Sequence, residues 1–504
     1  MTVHTAVVST SHSDHATSAS LLERPRRLRD QSRWDASADV VIIGGGAAGA
    51  SAAIEARRLG ADVLILERAG ACGGSTALSG GILYFGGGTE IQTACGFSDS
   101  ADEMYKYLLA ASGPNPDAEK VQLYCERNLE HFAWCKDQGL RFNPRFYAKK
   151  TTEPPGDDGL LYSGNENVWP FNEIAVPAPR GHKPATMGSA GGVIMEALLS
   201  QATRHGVRFQ YDTRAVGLVV DDEGRVAGVI ARESGAECAV RARRGVILCA
   251  GGFVMNREML AQHAPKLLNV NVQIGNPGDD GAGILLGLSA GGYAIGMGEG
   301  FVSVPFYPPS KLVHGVIVNV QGQRFVNEDA YHGRTGDFIL RQSGAAAYLI
   351  VDEPHFGRPI AGMQLKAAGE TLEILERELA LPESSLVNTL RFYNEHARIG
   401  KDPLFHKAAA YLTPLEHGPF AALDLSAGRA IVPGFTMGGL DTLPTGEVLG
   451  PDRNVVRGLY AAGRNSCGLP RSAAGYSSGM SIGCATFFGR LAGISAARAD
   501  TIGA

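Results

Sequence analysis

Val40-Val41-Ile42-Ile43-Gly44-Gly45-Gly46-Ala47-Ala48-Gly49 is the stretch that decides how this chain folds. Four consecutive β-branched residues read as a strand buried on both faces, as in a parallel sheet. Glycines then break the strand, and small residues carry a helix through Arg58 to a stop at Gly60. A second strand, Val63-Leu64-Ile65-Leu66, ends at Glu67, so strand, helix and strand make one βαβ unit. Within it Gly44 permits the tight turn, Gly46 lets a pyrophosphate approach the backbone, and Gly49 lets helix and sheet pack closely. Ala48 lies in the first helical turn, whose unpaired N–H groups and positive dipole end face the phosphates. Glu67 is placed to accept hydrogen bonds from ribose hydroxyls.

Working outward, a second loop of glycines and hydroxyls follows at once: Arg68, then Gly74-Ser75-Thr76, then Ser79-Gly80-Gly81. A nicotinamide dinucleotide has no use for such a loop here. FAD has, because its pyrophosphate, ribityl chain and ring lie extended through the domain. Val246-Ile247-Leu248-Cys249 is another buried strand running into Ala250-Gly251-Gly252, and Gly458 to Gly463 repeats the same logic near the C-terminus. Separated elements converging on one long ligand point to FAD, held by Ala250, Gly251 and Gly463 as well as by the first two loops.

Composition bounds the rest. A chain of 504 residues needs two or three domains, and its 66 glycines are about twice the usual share. A net charge of −5 leaves no electrostatic footprint for nucleic acid. No run of about 18 apolar residues lacks charges and glycine clusters, so no membrane span is expected. The eight cysteines are scattered without paired or metal-like spacing, which fits reduced thiols in a cytoplasmic protein and no metal site. Residues 1–34, rich in Ser, Thr, His and Ala and then basic, read as a mostly disordered leader that joins the fold near Trp34, without a secretory h-region.

The expected fold is α/β: a Rossmann-like FAD-binding domain, residues 35–299 and 431–504, with an inserted α+β substrate-capping domain, 300–430. The texture supports it, since aromatics, prolines and His replace the Gly/Ala pattern near 300 and glycines return near Ile431. Helices are expected over 101–140, 195–205, 367–380 and 385–397. The proline-rich stretch 141–185 reads as an irregular loop over a pocket.

The sequence resembles the fumarate reductase/succinate dehydrogenase-type flavoproteins. Asp39 to Gly49, Leu64 to Gly81, Gly206 to Val229, Gly245 to Gly252, Gly278 to Gly283, Gln323 to Asp329 and Met437 to Gly463 carry the resemblance. It implies a substrate held between the flavin ring and the cap. Two departures matter. Members with covalent flavin carry a His shortly before the Ser79-Gly80-Gly81 position, where this chain has Gly74, so non-covalent FAD is expected. Dicarboxylate-reducing members carry an Arg after the last flavin motif, where this chain reads Ala473-Ala474-Gly475-Tyr476-Ser477-Ser478-Gly479.

Tyr476 before a small-residue turn resembles the 3-ketosteroid dehydrogenases of this superfamily, supported by Tyr84 to Gly88 and Gln323 to Tyr331. Tyr476, Ser478 and Tyr331 together look most like the Δ4-(5α) branch. The resemblance implies a steroid substrate, and a C4–C5 double bond introduced into a saturated ring A. Tyr476 O–H and Gly479 N–H would hold the developing enolate oxygen, and Ser478 and Tyr331 would accept or relay the C4 proton. The C5 hydride would pass to flavin N5. Neither Tyr nor Ser is a strong base, so either a lowered pKa or concerted transfer is required. Tyr84, Phe306 and Tyr307 are candidate walls for a flat substrate, while His182, His314 and His332 read as structural. The electron acceptor is unknown at this level. Three alternatives stand: a Δ1-dehydrogenase; a fumarate reductase-like enzyme using Arg324, Arg334, Arg341 or Arg471; and a non-catalytic flavin-binding protein.

Overall fold

The computed structural model describes residues 23–359 and 362–501. Its centre is a nine-stranded sheet. In chain order its strands are β1 (Arg26–Arg27), β2 (Ala36–Ile43), β3 (Val63–Leu66), β4 (Arg208–Gln210), β5 (Thr213–Val220), β6 (Val226–Glu233), β7 (Ala236–Leu248), β8 (Glu447–Leu449) and β9 (Val455–Ala461). β4, β3, β2, the second half of β7, and β9 lie side by side and parallel, with Ile42 opposite Ile65 and Ile247, and Ile247 opposite Tyr460. Val40, Val41 and Ile42 have no exposed surface, because both faces of this parallel part are covered.

One cover is a helix pair, α1 (Ala47–Arg58) and α2 (Met480–Arg498). They approach closely because Gly489 and Gly493 face the backbone of Ala48 and Ala52; a Cβ on Gly489 would lie 2.5 Å from Ala48 O. Among the described residues α2 is the one helix long and apolar enough to cross a membrane, and 78% of its apolar stretch is buried inside the fold.

Two further units flank the sheet. Residues 316–424 hold an antiparallel sheet of Val316–Asn319, Ala347–Val351, Phe420–Asp424 and Leu365–Gly369, backed by helices Leu372–Glu378 and Ser385–Ala397. A helix over all of 367–380 is therefore incorrect: Leu365–Gly369 pairs with Phe420–Asp424, and the helix begins only where Thr371 caps it. The second unit joins Leu83–Tyr84, Gly181–His182, Leu160–Leu161 and Phe146–Tyr147 in a small sheet beside helices Ala101–Ala111, Ala118–Glu126 and Asn128–Asp137. The stretch 141–185 thus contributes strands as well as loop. A third small sheet, Val272–Gln273, Pro433–Thr436 and Gly300–Val302, spans both expected domain borders.

The expected leader divides in two. Residues 1–22 lie outside the described residues. From Glu23 onward the chain is built in: β1 extends the main sheet beside Val219–Val220, and Trp34 packs over Gly228 among Val216, Val219, Ile230 and Ala239. Polar composition argued for disorder there, but one indole on a sheet face and a two-residue strand tie the segment down.

Candidate active site

The carboxyl ends of β2, β3, β7 and β9 open on one cavity of about 510 Å³. This is where parallel α/β sheets place ligands, since the loops after those ends diverge. At its floor Gly44 has φ +102°, and a Cβ there would lie 2.5 Å from Cys249 O. Gly46 faces open space, and α1 begins on it with no side-chain cap, leaving its first N–H groups for a ligand. Gly49 does not line the cavity; a Cβ there would collide with Gly44 O, so it serves helix–sheet packing only.

Glu67 closes the β3 end. Its Oε2 accepts Gly45 N–H at 2.8 Å and its Oε1 accepts Ala69 N–H at 2.9 Å, leaving each oxygen a lone pair for a hydroxyl. Arg68 pairs with Asp280 at 2.7 Å. Gly74, Ser75, Ser79, Gly80 and Gly81 line the next part of the wall, and Ala250, Gly251 and Gly463 the opposite side.

Residues the sequence reading missed knit these loops together. Asp279 is 1% exposed. Its Oδ2 accepts from Ser75 Oγ at 2.8 Å and pairs with Arg464, while its Oδ1 has no partner. Asn465 accepts Ala250 N–H and donates to Gly251 O at 2.8 Å. Asp279 and Asp280 sit between glycines in Gly278 to Gly283, a stretch already singled out, whereas Asn465 carried no signal of its own. The residues fit FAD: a glycine floor that a Cβ would fill, an uncapped helix start, and an orphaned buried carboxylate oxygen aligned along one elongated cavity.

The other end is aromatic. Phe301, Phe435, Tyr331 and Tyr476 line it, with Phe301 4.6 Å from Tyr476 and 5.1 Å from Phe435 between ring centres. The expected walls Tyr84, Phe306 and Tyr307 are not there. Tyr84 packs on Tyr107 in the lobe behind, and Phe306 and Tyr307 fill the core beneath the antiparallel sheet, with Ile317, Leu349 and Leu423. His182 is buried against Thr89, and His314 bonds Thr413, both away from the cavity. His332 does line it, held by Ser303 Oγ at 2.6 Å, and burial lowers its pKa to about 3.

Four residues meet at this end. Tyr331 Oη and Ser478 Oγ share a hydrogen bond of 2.7 Å, and Tyr476 Oη donates to Ser481 Oγ at 3.2 Å. Gly479, with φ +98°, starts α2, and a Cβ would lie 2.7 Å from Leu83 C. Burial raises the pKa of both Tyr331 and Tyr476. Both phenols are therefore neutral at physiological pH, which removes a lowered tyrosine pKa as the source of base strength and leaves concerted transfer.

The four arginines of the carboxylate reading are spent elsewhere, and the arginines that do line the cavity, Arg68, Arg214 and Arg464, are paired with Asp280 or Asp279. Arg324 is locked between Glu328 and Asp402 at 2.9 and 2.8 Å, Arg341 pairs with Asp337, and Arg471 pairs with Asp117. Arg334 stacks over Phe338. None of the four lines the cavity.

Comparison with known proteins agrees with this architecture. The FAD binding domain family matches residues 39–479. A solved 3-ketosteroid-Δ4-(5α)-dehydrogenase from Rhodococcus jostii RHA1, in complex with 4-androstene-3,17-dione, is 44% identical, with a TM-score of 0.90 over 94% of this chain and 100% of that one. The 3-oxo-5-alpha-steroid 4-dehydrogenase of Comamonas testosteroni is 28% identical over 86% of this chain and 94% of its own length. A flavocytochrome c3 fumarate reductase is 25% identical, with a TM-score of 0.65 over 93% of this chain and 79% of that one. A glycine-floored crevice built for an extended dinucleotide, together with these matches, makes the chain a member of the FAD-binding flavoprotein family that includes the 3-ketosteroid dehydrogenases, with FAD as its cofactor.

Proposed function

We propose that this oxidoreductase dehydrogenates a 3-ketosteroid with a 5α-saturated ring A, introducing a C4–C5 double bond. The observation that carries the reading is the Tyr331–Ser478 hydroxyl pair beside Tyr476, at an aromatic end of the cavity lined by none of the rival arginines. A flat ketone suits such walls, whereas a dicarboxylate would need paired cations.

Tyr476 O–H, turned from Ser481 Oγ to the substrate, and Gly479 N–H bind the C3 carbonyl oxygen and stabilise the negative charge that grows on it as C4 loses its proton. The Tyr331–Ser478 pair relays that proton: one hydroxyl accepts it as its own proton moves along the shared bond, and the partner hydroxyl in turn releases a proton to water. Phe301 and Phe435 exclude water from the reacting face. Bound along the glycine loops, FAD supplies the hydride acceptor for C5. Gly44, Gly46, Ala48, Glu67, Arg68, Ser75, Ser79, Gly80, Gly81, Ala250, Gly251 and Gly463 hold it, and Gly74 leaves no histidine for a covalent link. We place the enzyme in the cytoplasm, with residues 300–430 as the substrate cap.

Anaerobic mixing of the purified yellow protein with a 5α-saturated 3-ketosteroid tests this. Bleaching with formation of the Δ4 product is expected. A Δ1 product would move the enzyme to the neighbouring branch. Bleaching by succinate alone would favour a carboxylate substrate, and no bleaching by either would leave only a binding protein. Acid precipitation should release the flavin into the supernatant; yellow pellet would contradict non-covalent attachment.

A further inference from the structure

The two halves of the hydroxyl pair come from points nearly 150 residues apart, Tyr331 and Ser478, yet the backbone N–H of each is held by the same remote segment. Ser478 N–H donates to Ser163 O at 2.8 Å, and Tyr331 N–H donates to Asn165 Oδ1 at 2.9 Å. Both anchors belong to one tripeptide, Ser163-Gly164-Asn165, within the proline-rich stretch 141–185.

That tripeptide is itself gripped from behind. Tyr107 Oη accepts Asn165 N–H at 3.0 Å and bonds Ser477 Oγ at 2.8 Å. Asn165 Nδ2 reaches Ala474 O at 3.4 Å. Gly164 carries no Cβ because one would land on Ser477 Oγ and lie 2.8 Å from Tyr107 Oη. Asn165 and Gly164 are fully buried, and neither lines the cavity, so substrate and cofactor do not account for them.

We infer that Ser163-Gly164-Asn165 is a positioning clamp for the reaction, in which Asn165 sets the Tyr331–Ser478 distance while Tyr107 holds the clamp against Ser477. The inference rests on the proposed role of the Tyr331–Ser478 pair. Its physical basis is that proton transfer fails steeply with misplacement, about 10²-fold for roughly 1 Å. A clamp that holds both residues through their backbones controls that distance without touching the substrate.

The test uses the FAD-loaded enzyme and single-turnover bleaching by a 5α-saturated 3-ketosteroid, ordinary or deuterated at C4. Asn165→Ala is expected to slow bleaching about 10²-fold, with half-saturation by steroid and flavin content unchanged and the C4 deuterium effect enlarged. In the Tyr331→Phe background the same change should cost nothing further, because residues acting through one another are not additive. Tyr107→Phe should show a smaller loss with the same isotope signature, and it carries the test if Asn165→Ala does not fold. A wild-type rate in both clamp variants while Tyr331→Phe is slow, or losses that multiply in the double variant, would overturn the clamp alone. A wild-type rate in Tyr331→Phe would overturn the hydroxyl-pair reading and the clamp with it.

Discussion

At the nucleotide end of the cavity the wall is backbone: glycines without Cβ atoms, uncapped N–H groups, and carboxylates already bonded to arginines, serines and peptide nitrogens. At the substrate end it is side chain: four aromatic rings, and hydroxyls whose bonds run to one another. Backbone sites fail by exclusion, since an added atom has nowhere to go. Side-chain sites fail by degrees, since removing one oxygen leaves the cavity intact. The same chain thus carries a glycine floor that fails all at once and side chains, at either end, that fail by degrees.

Gly44→Ala is the sharpest way to break that contrast. The Cβ would press on Cys249 O in a backbone conformation that L residues avoid, so the variant should purify without visible flavin absorbance. A yellow, active variant would show that the floor yields. Tyr476→Phe should keep its flavin and lose about 10²–10³ in bleaching rate, the cost of one oxyanion donor. An unchanged rate would remove Tyr476 from the mechanism.

Glu67→Gln should be milder still. The amide keeps one acceptor oxygen for the Gly45 or Ala69 N–H and loses the other, so FAD should bind about tenfold more weakly, near 1.4 kcal/mol. Equilibrium dialysis of flavin measures it, and no change would mean that the carboxylate only braces the loop.

The smallest effect concerns pH. Burial raises Tyr331 and Tyr476 and lowers His332 to about 3, so none of them changes charge between about pH 6 and 9, and the bleaching rate should stay flat there. A bell with both limbs inside that range would implicate another group. Stability behaves differently. His182 falls to about 4 by burial, so the unfolded chain, with a value near about 6.5, binds its proton first. The melting temperature should therefore decline as pH drops from about 6.5 toward 4.

Much of this was legible in advance because some steps are local. Val40 to Gly49 dictates strand, turn and helix start from neighbouring residues alone, and a cofactor that lies on backbone reads directly as glycine spacing. Tyr331, Tyr476, Ser478 and Gly479 came from resemblance, and the structure brings them to one end of the cavity. Asn165, Asn465, Phe301 and Phe435 carry no such signal, for one reason. A buried Asn or Phe looks the same in sequence whether it fills a core or lines a site, and only its partners across the fold tell which.

The sequence by itself determined the βαβ unit, the order of the glycine loops and the cofactor they fit, because each follows from steric rules within a few residues. Only the tertiary structure decided that Trp34 belongs to the sheet, that the four arginines are spent on carboxylates and rings, and that Ser163 and Asn165 grip two residues far along the chain. Those are facts of distance between remote segments, and no local pattern encodes them.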